Sequence, residues 1–434
     1  MEELESLDQP SLKQIILRIS IRYLAITAGF FLIFRTGQSI KIFDLLIIIL
    51  GIMLFFDSGA RRFFKKIQPL LLPYFKYLIL ILALILLAQI ISYYQNRNTS
   101  FDFGTITNYG RLVFNAYTLF LIAFIIYLDR KTLSPLSLSI FLSSFVNLPA
   151  FWKLEDGGYL AGGRLTGSLQ TPLILGLWMS IVFLIGLSFF MTTKKSWAKV
   201  LIAASLVFVA GFSLWSASRA AWLALVLAMS IWTLFYFFKK DWKKLAGFLM
   251  ISIFSFSFGY LLLPHEDLHI KSYIKDRAAN LTHSVVTLKP KEVKAQSQTQ
   301  IWPGVVDFII HNPLGSGFGS YSPQKLMKKN GASISNNSFL ELGLYGGLGA
   351  ITTFLIFIFM LATKAFKAVK NRQSNSSELS LAWILGGVVV IVAIFFTDAF
   401  LWRHVWFALG MVLGIILIEY DNYAAEKQLI KPNI

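Results

Sequence analysis

Seven polar residues stand at the edges of apolar runs, where their types could do chemistry. They are Arg164 in GGRLTGSLQTPL, Arg219 in WSASRAAWLA, His311 in FIIHNPLGSGFGSY, Asn336, Asn337 and Glu341 in NNSFLELGLYGG, and Arg403 in DAFLWRHVW. A guanidinium is planar, permanently charged and shaped to grip phosphate oxygens two at a time. Several of them at one membrane face would make a receptor for a lipid-linked phosphate or diphosphate. His311 and Glu341 are the groups able to take a proton near neutral pH. Asn336 and Asn337 can position a hydroxyl but cannot deprotonate it.

Each residue also has a plainer reading. An arginine at the membrane boundary can simply snorkel to lipid headgroups. Arg219 fits that least, because only Ser-Ala-Ser separates it from the preceding apolar run. Gly162, Gly163 and Gly167 around Arg164 can be an ordinary Gly-rich loop, or can let backbone approach a ligand. Pro172 suits a first helical position, whose positive end would face the same region. A lone loop histidine is more often structural than catalytic. The glycines of LGSGFGS lack the Lys-Ser/Thr that would complete a phosphate loop. Asn337 reads equally as a helix cap, with Glu341 one turn further along the same face.

The elements that must position these residues are membrane helices. Of 434 residues 56% are hydrophobic and only 14% charged, and mean hydropathy is +0.65. Apolar blocks near 19–34, 42–56, 70–94, 112–128, 133–152, 172–191, 198–217, 220–238, 245–263, 338–362, 380–401 and 405–418 predict about twelve crossings of about 20 residues each. The fold class is therefore an all-α polytopic membrane protein. The absence of cysteine excludes disulfides and thiolate chemistry, and no acidic cluster has the look of a metal site. The polar, acidic start MEELESLDQPSLKQ is unlike a cleavable signal peptide, so the first helix is expected to serve as its own insertion signal.

The net charge of +18 does not point to nucleic acid, because Lys and Arg cluster in short connections between apolar blocks. Those connections, at 60–66, 129–131, 192–199, 239–244 and 364–372, alternate along the chain, which puts them and both termini in the cytoplasm. The opposite connections then face outward. The longest, 264–337, holds about seventy residues without a spanning block, and loops of that length are uncommon without a purpose. Three regions follow: residues 1–263 with helices 1–9, an outer-loop subdomain at 264–337, and residues 338–434 with helices 10–12 and a cytoplasmic tail.

From Arg164 onward the sequence resembles the O-antigen ligase and O-antigen polymerase superfamily of bacterial envelope glycosyltransferases. The resemblance rests on RLTGSLQTP, SASRAAW, HNPLGSGFGSY and NNSFLELGLYGG, in that order and on that topology. It implies a GT-C-like bundle with an outward-facing active site in the bacterial cytoplasmic (inner) membrane. The donor would be an undecaprenyl-diphosphate-linked glycan and the acceptor a glycan or lipid A-core, with no cofactor or metal. Arg164 and Arg219 match the family's two essential arginines and would hold the diphosphate as leaving group; Arg403, Asn336 and Asn337 would contact substrate. Where the family has His-Asn at the start of the last motif, this chain has Asn336-Asn337, which leaves His311 and Glu341 as candidate bases. A protein acceptor stays open. So does a transporter or a flippase for lipid-linked oligosaccharides, although most charges here fall at helix ends rather than along a mid-membrane path.

Overall fold

The computed structural model describes residues 12–32, 42–95, 103–151, 160–161, 164–166, 169, 171–263, 274, 298–318, 337–370, 378–397 and 399–430. Thirteen α-helices account for nearly all of them: α1 Leu12–Phe31, α2 Ile42–Phe56, α3 Ser58–Tyr94, α4 Phe103–Leu128, α5 Leu133–Ser143, α6 Pro172–Thr192, α7 Ser196–Trp215, α8 Arg219–Phe238, α9 Trp242–Leu261, α10 Gln298–His311, α11 Ser338–Lys370, α12 Glu378–Phe396 and α13 Arg403–Ile430. A two-residue antiparallel ladder, β1 (Leu160–Ala161) on β2 (Arg164–Leu165), precedes α6.

Among the described residues nine helices are long and apolar enough to cross a membrane: α3, α4, α6 to α9 and α11 to α13. The three remaining apolar blocks also form helices but fall short. α1 carries Lys13, Arg18 and Arg22, α2 has 15 residues, and α5 has 11 before it tightens into the 3-10 segment Ser144–Phe151. The charges inside the first two blocks are partnered, as burial in an apolar bundle demands. Arg22 pairs with Asp129 at 2.5 Å, and Asp44 with Arg403 at 2.5 Å.

Several helices outrun their apolar blocks. Asp57 caps α3 by accepting from the Gly59 amide at 2.8 Å, so the basic segment 60–66 forms the first turns of that helix rather than a loop. Lys and Arg are good helix formers, and a helix need not stop at the bilayer edge. α11 likewise runs on to Lys370 and α13 to Ile430.

Helices α6, α7, α8 and α12 pack together as one group within the bundle. α6 has an almost unbroken buried surface from Ile174 to Ser188, as expected of a helix that is apolar all round. α8 and α12 are antiparallel neighbours, which their ends demonstrate. Glu378, the first residue of α12, accepts from the Tyr236 hydroxyl and the Lys244 ammonium, each at 2.9 Å, beside the last turn of α8. The first residue of α8, Arg219, therefore lies at the same end as the last turn of α12.

Candidate active site

Arg219 is placed by a tight, sequence-specified turn. α7 ends at Trp215, and Ala217 takes a left-handed conformation (φ 47°) that few non-glycine residues adopt. Ser218 then caps α8, its hydroxyl accepting from the Ala221 amide at 3.3 Å. Ser216, Ala217 and Ser218 are all buried, and the Arg219 side chain emerges exposed at the first helical position. Gly176 of α6 makes the turn possible. A Cβ there would meet the Ser216 hydroxyl at 2.4 Å and the Ser218 Cβ at 3.0 Å.

β2 packs against α6 and α7, so the backbone of Arg164 sits at the end of the same helix group that presents Arg219. Leu165 and Thr166 are buried there and anchor it. α6 begins as its sequence predicts, with Pro172 first and the Thr171 hydroxyl capping the Ile174 amide at 3.2 Å.

Asn337 does cap a helix. Its side-chain oxygen accepts from the Phe339 and Leu340 amides at 2.9 and 3.1 Å. Its amide nitrogen donates to the Phe395 carbonyl at 2.9 Å, and the Ser338 hydroxyl donates to the Thr397 carbonyl at 2.7 Å. The start of α11 is thereby stitched to the end of α12, beside the N-terminus of α8. Asn337→Ala should lower stability by about 1 kcal/mol for the lost cap, read as an earlier melting transition of the purified protein in detergent. The conservative Asn337→Asp keeps the cap oxygen and should fall less. Asn336 lies outside the described residues.

Glu341 is only 8% exposed and accepts from the Tyr345 hydroxyl at 3.0 Å. That places a buried carboxylate on α11, one turn after the Asn337 contact with the end of α12, as the spacing indicates. Tyr345 was not singled out from the sequence, although its position four residues after Glu341 in ELGLY carried the signal. His311 is at the far end of α10 with its side chain 71% exposed, and its polar contacts are with Asp307, the backbone carbonyl at 2.9 Å and the carboxylate at 3.3 Å.

Gly315 and Gly317 of HNPLGSGFGSY serve close backbone packing. α11 breaks at Gly347 (φ 68°, ψ −165°), and the break frees main-chain groups. The Pro313 carbonyl accepts from the Leu348 amide at 2.9 Å, and the Ser316 and Gly317 amides donate to the Leu344 and Tyr345 carbonyls at 2.9 and 2.8 Å. Residues 313–317 thus lie directly on the broken helix, and the amides that a phosphate would need are already committed. Phe318 follows, wedged between Tyr109 and Tyr345 at ring separations of 4.8 and 4.6 Å.

Arg403 is committed to Asp44 of α2 and lies over the Phe43 ring, 5.7 Å from its centroid. If that pair only fastens α13 to α2, Asp44→Asn and Arg403→Gln will destabilise alike, and the double variant will cost little more than either one. Should Arg403→Gln alone depress glycan transfer while Asp44→Asn leaves it intact, Arg403 also contacts substrate.

Residues 204–355 match the O-antigen ligase family model. The matched segment runs from within α7, through the Ser218–Arg219 turn and residues 311–318, to α11 beyond Glu341 and Gly347. Arg164 and Arg403 lie outside it. The match supports the O-antigen ligase superfamily resemblance and an O-antigen ligase-type membrane function. No curated protein and no solved structure matches the chain.

Proposed function

We propose that the chain is a glycosyltransferase that moves a glycan from an undecaprenyl-diphosphate carrier to an acceptor hydroxyl at the outer face of a bacterial cytoplasmic membrane. The observation that carries this reading is the convergence, at one end of α6, α7, α8 and α12, of Arg219, the β2 backbone of Arg164 and the α11 turn bearing buried Glu341. That end is the outward one if the basic connections lie in the cytoplasm, which also places both termini there.

In this reading Arg164 and Arg219 clamp the donor diphosphate. The acceptor hydroxyl attacks the sugar's anomeric carbon, the carbon–oxygen bond to the diphosphate breaks, and the departing negative charge is met by fixed guanidinium charge. Glu341 takes the acceptor's proton. Its burial at the Arg219 end favours it over His311, which faces solvent beside Asp307. No metal is assigned a role, because the arginines supply the positive charge. The loop 264–337 would cover donor and acceptor so that water does not compete as nucleophile.

A deletion strain tests the function and sorts its two forms. Surface glycan reduced to single attached units identifies a polymerase. Whole chains stranded on the lipid carrier identify a ligase acting on lipid A-core. An unchanged glycan profile would end the proposal.

A further inference from the structure

A groove of about 1000 Å³ lies along α3, between α2 and α4. That volume is at the upper limit of ordinary small-molecule sites. Its lining is almost wholly apolar, and Phe75, Ile79 and Val113 are each about half exposed, so the groove opens sideways into the bilayer rather than into water. Along α3 it runs from Arg61 to Leu82, about 30 Å at ~1.5 Å per residue, close to the thickness of a bilayer's hydrocarbon core.

Among the described residues, the charged ones that line it are Arg61 and Lys65, both at one mouth. They are one helical turn apart and exposed, and neither has an acidic partner among the described residues. Like charges at that spacing repel one another. α3 runs antiparallel to α11, with Ile85 against Gly346 and Tyr74 against Phe357. The mouth is therefore at the opposite end of the bundle from Arg219, so a donor diphosphate held there cannot be the group that meets Arg61 and Lys65. The basic stretch 60–66 assigns this mouth to the cytoplasmic leaflet, where basic pockets between helices recruit anionic headgroups.

We infer that this groove is a binding site for an anionic phospholipid of that leaflet, its phosphate between Arg61 and Lys65 and its acyl chains along Phe75, Ile79 and Val113. Two adjacent cations at the end of an apolar trough opening into the bilayer complement a molecule with one charged end and a long apolar remainder. The site stands whether or not the transfer reaction above is right.

The test uses the full-length protein purified in detergent, with phosphatidylglycerol and phosphatidylcholine titrated and retained lipid counted by native mass spectrometry. Wild type should hold phosphatidylglycerol roughly thirty-fold more tightly than phosphatidylcholine, the preference two cations provide. Arg61→Gln with Lys65→Gln should erase that preference. Arg62→Gln with Lys66→Gln removes equal charge from residues outside the groove and should leave the preference intact. Ala116→Phe fills the trough without touching the cations and should lower retention of both lipids. Equal retention of the two lipids by wild type, equal loss in both charge-removal pairs, unaltered retention in Ala116→Phe, or displacement of phosphatidylglycerol by stoichiometric polyprenyl phosphate would each overturn the inference.

Discussion

Arg219→Ala, inserted at normal levels, should lose transfer activity by about 10²–10³-fold, the range seen when one preorganised partner of a developing negative charge is removed. The fold should survive. The capping of α8 belongs to Ser218, the Arg219 side chain is exposed, and alanine is a favourable residue in a first helical turn. Arg219→Lys should recover only part of the activity, because an ammonium keeps the charge but not the two-pronged geometry that fits a diphosphate. If Arg164 and Arg219 grip one diphosphate, the double alanine variant should be little worse than the poorer single one, since residues acting as a unit are not additive. The measurement is surface glycan per unit of membrane-inserted protein. Full-length polysaccharide at wild-type amounts in Arg219→Ala would remove the basis of the proposed mechanism.

Gly347→Ala should be among the most damaging single substitutions in the chain. Its φ of 68° with ψ of −165° belongs to backbone that is essentially glycine-only, worth about 1–3 kcal/mol against any side chain. A Cβ would also sit 2.0 Å from the Pro313 carbonyl oxygen, a backbone atom that cannot step aside. The two costs together reach a large share of the ~5–15 kcal/mol that holds a typical domain together. The expected result is loss of monodisperse protein in detergent, or, where it folds, rapid amide exchange at Gly315, Ser316 and Gly317. Gly349→Ala is the matched control. Its Cβ would meet only the end of the Leu84 side chain at 3.3 Å, and its effect should stay within about 1 kcal/mol. Equal behaviour of the two variants would mean that the break in α11 is not a fixed feature.

The sequence was most legible where one rule acted alone. Apolar runs located the helices, and Pro172 and Asn337 located helix starts, because capping is a local preference. Helix ends were harder to read, since Lys and Arg extend α3 past the apolar block that marks it. Arg403 shows the limit of reading charge from one segment. Its partner Asp44 is separated by most of the chain, and nothing in DAFLWRHVW predicts that meeting. The glycines of HNPLGSGFGSY invited a ligand-binding reading because glycine signals close backbone approach without saying to what. Here the approach is to α11 itself, a tertiary fact invisible in either segment alone. Glu341 was legible as a position but not as a buried group, since burial depends on where α12 ends.

The contacts of Glu378 reach further than their own neighbourhood. α8 and α12 lie side by side for about 30 Å at ~1.5 Å per residue, and sliding one past the other by a single turn would shift their tips by ~5.4 Å. The carboxylate that receives Tyr236 and Lys244 pins the two shafts lengthwise at one surface. At the other surface those shafts carry Arg219 and the carbonyls that hold the Glu341 segment. The relative depth of the α8 tip that carries Arg219 and the α12 tip that holds the start of α11 is therefore gauged from the opposite end of the bundle.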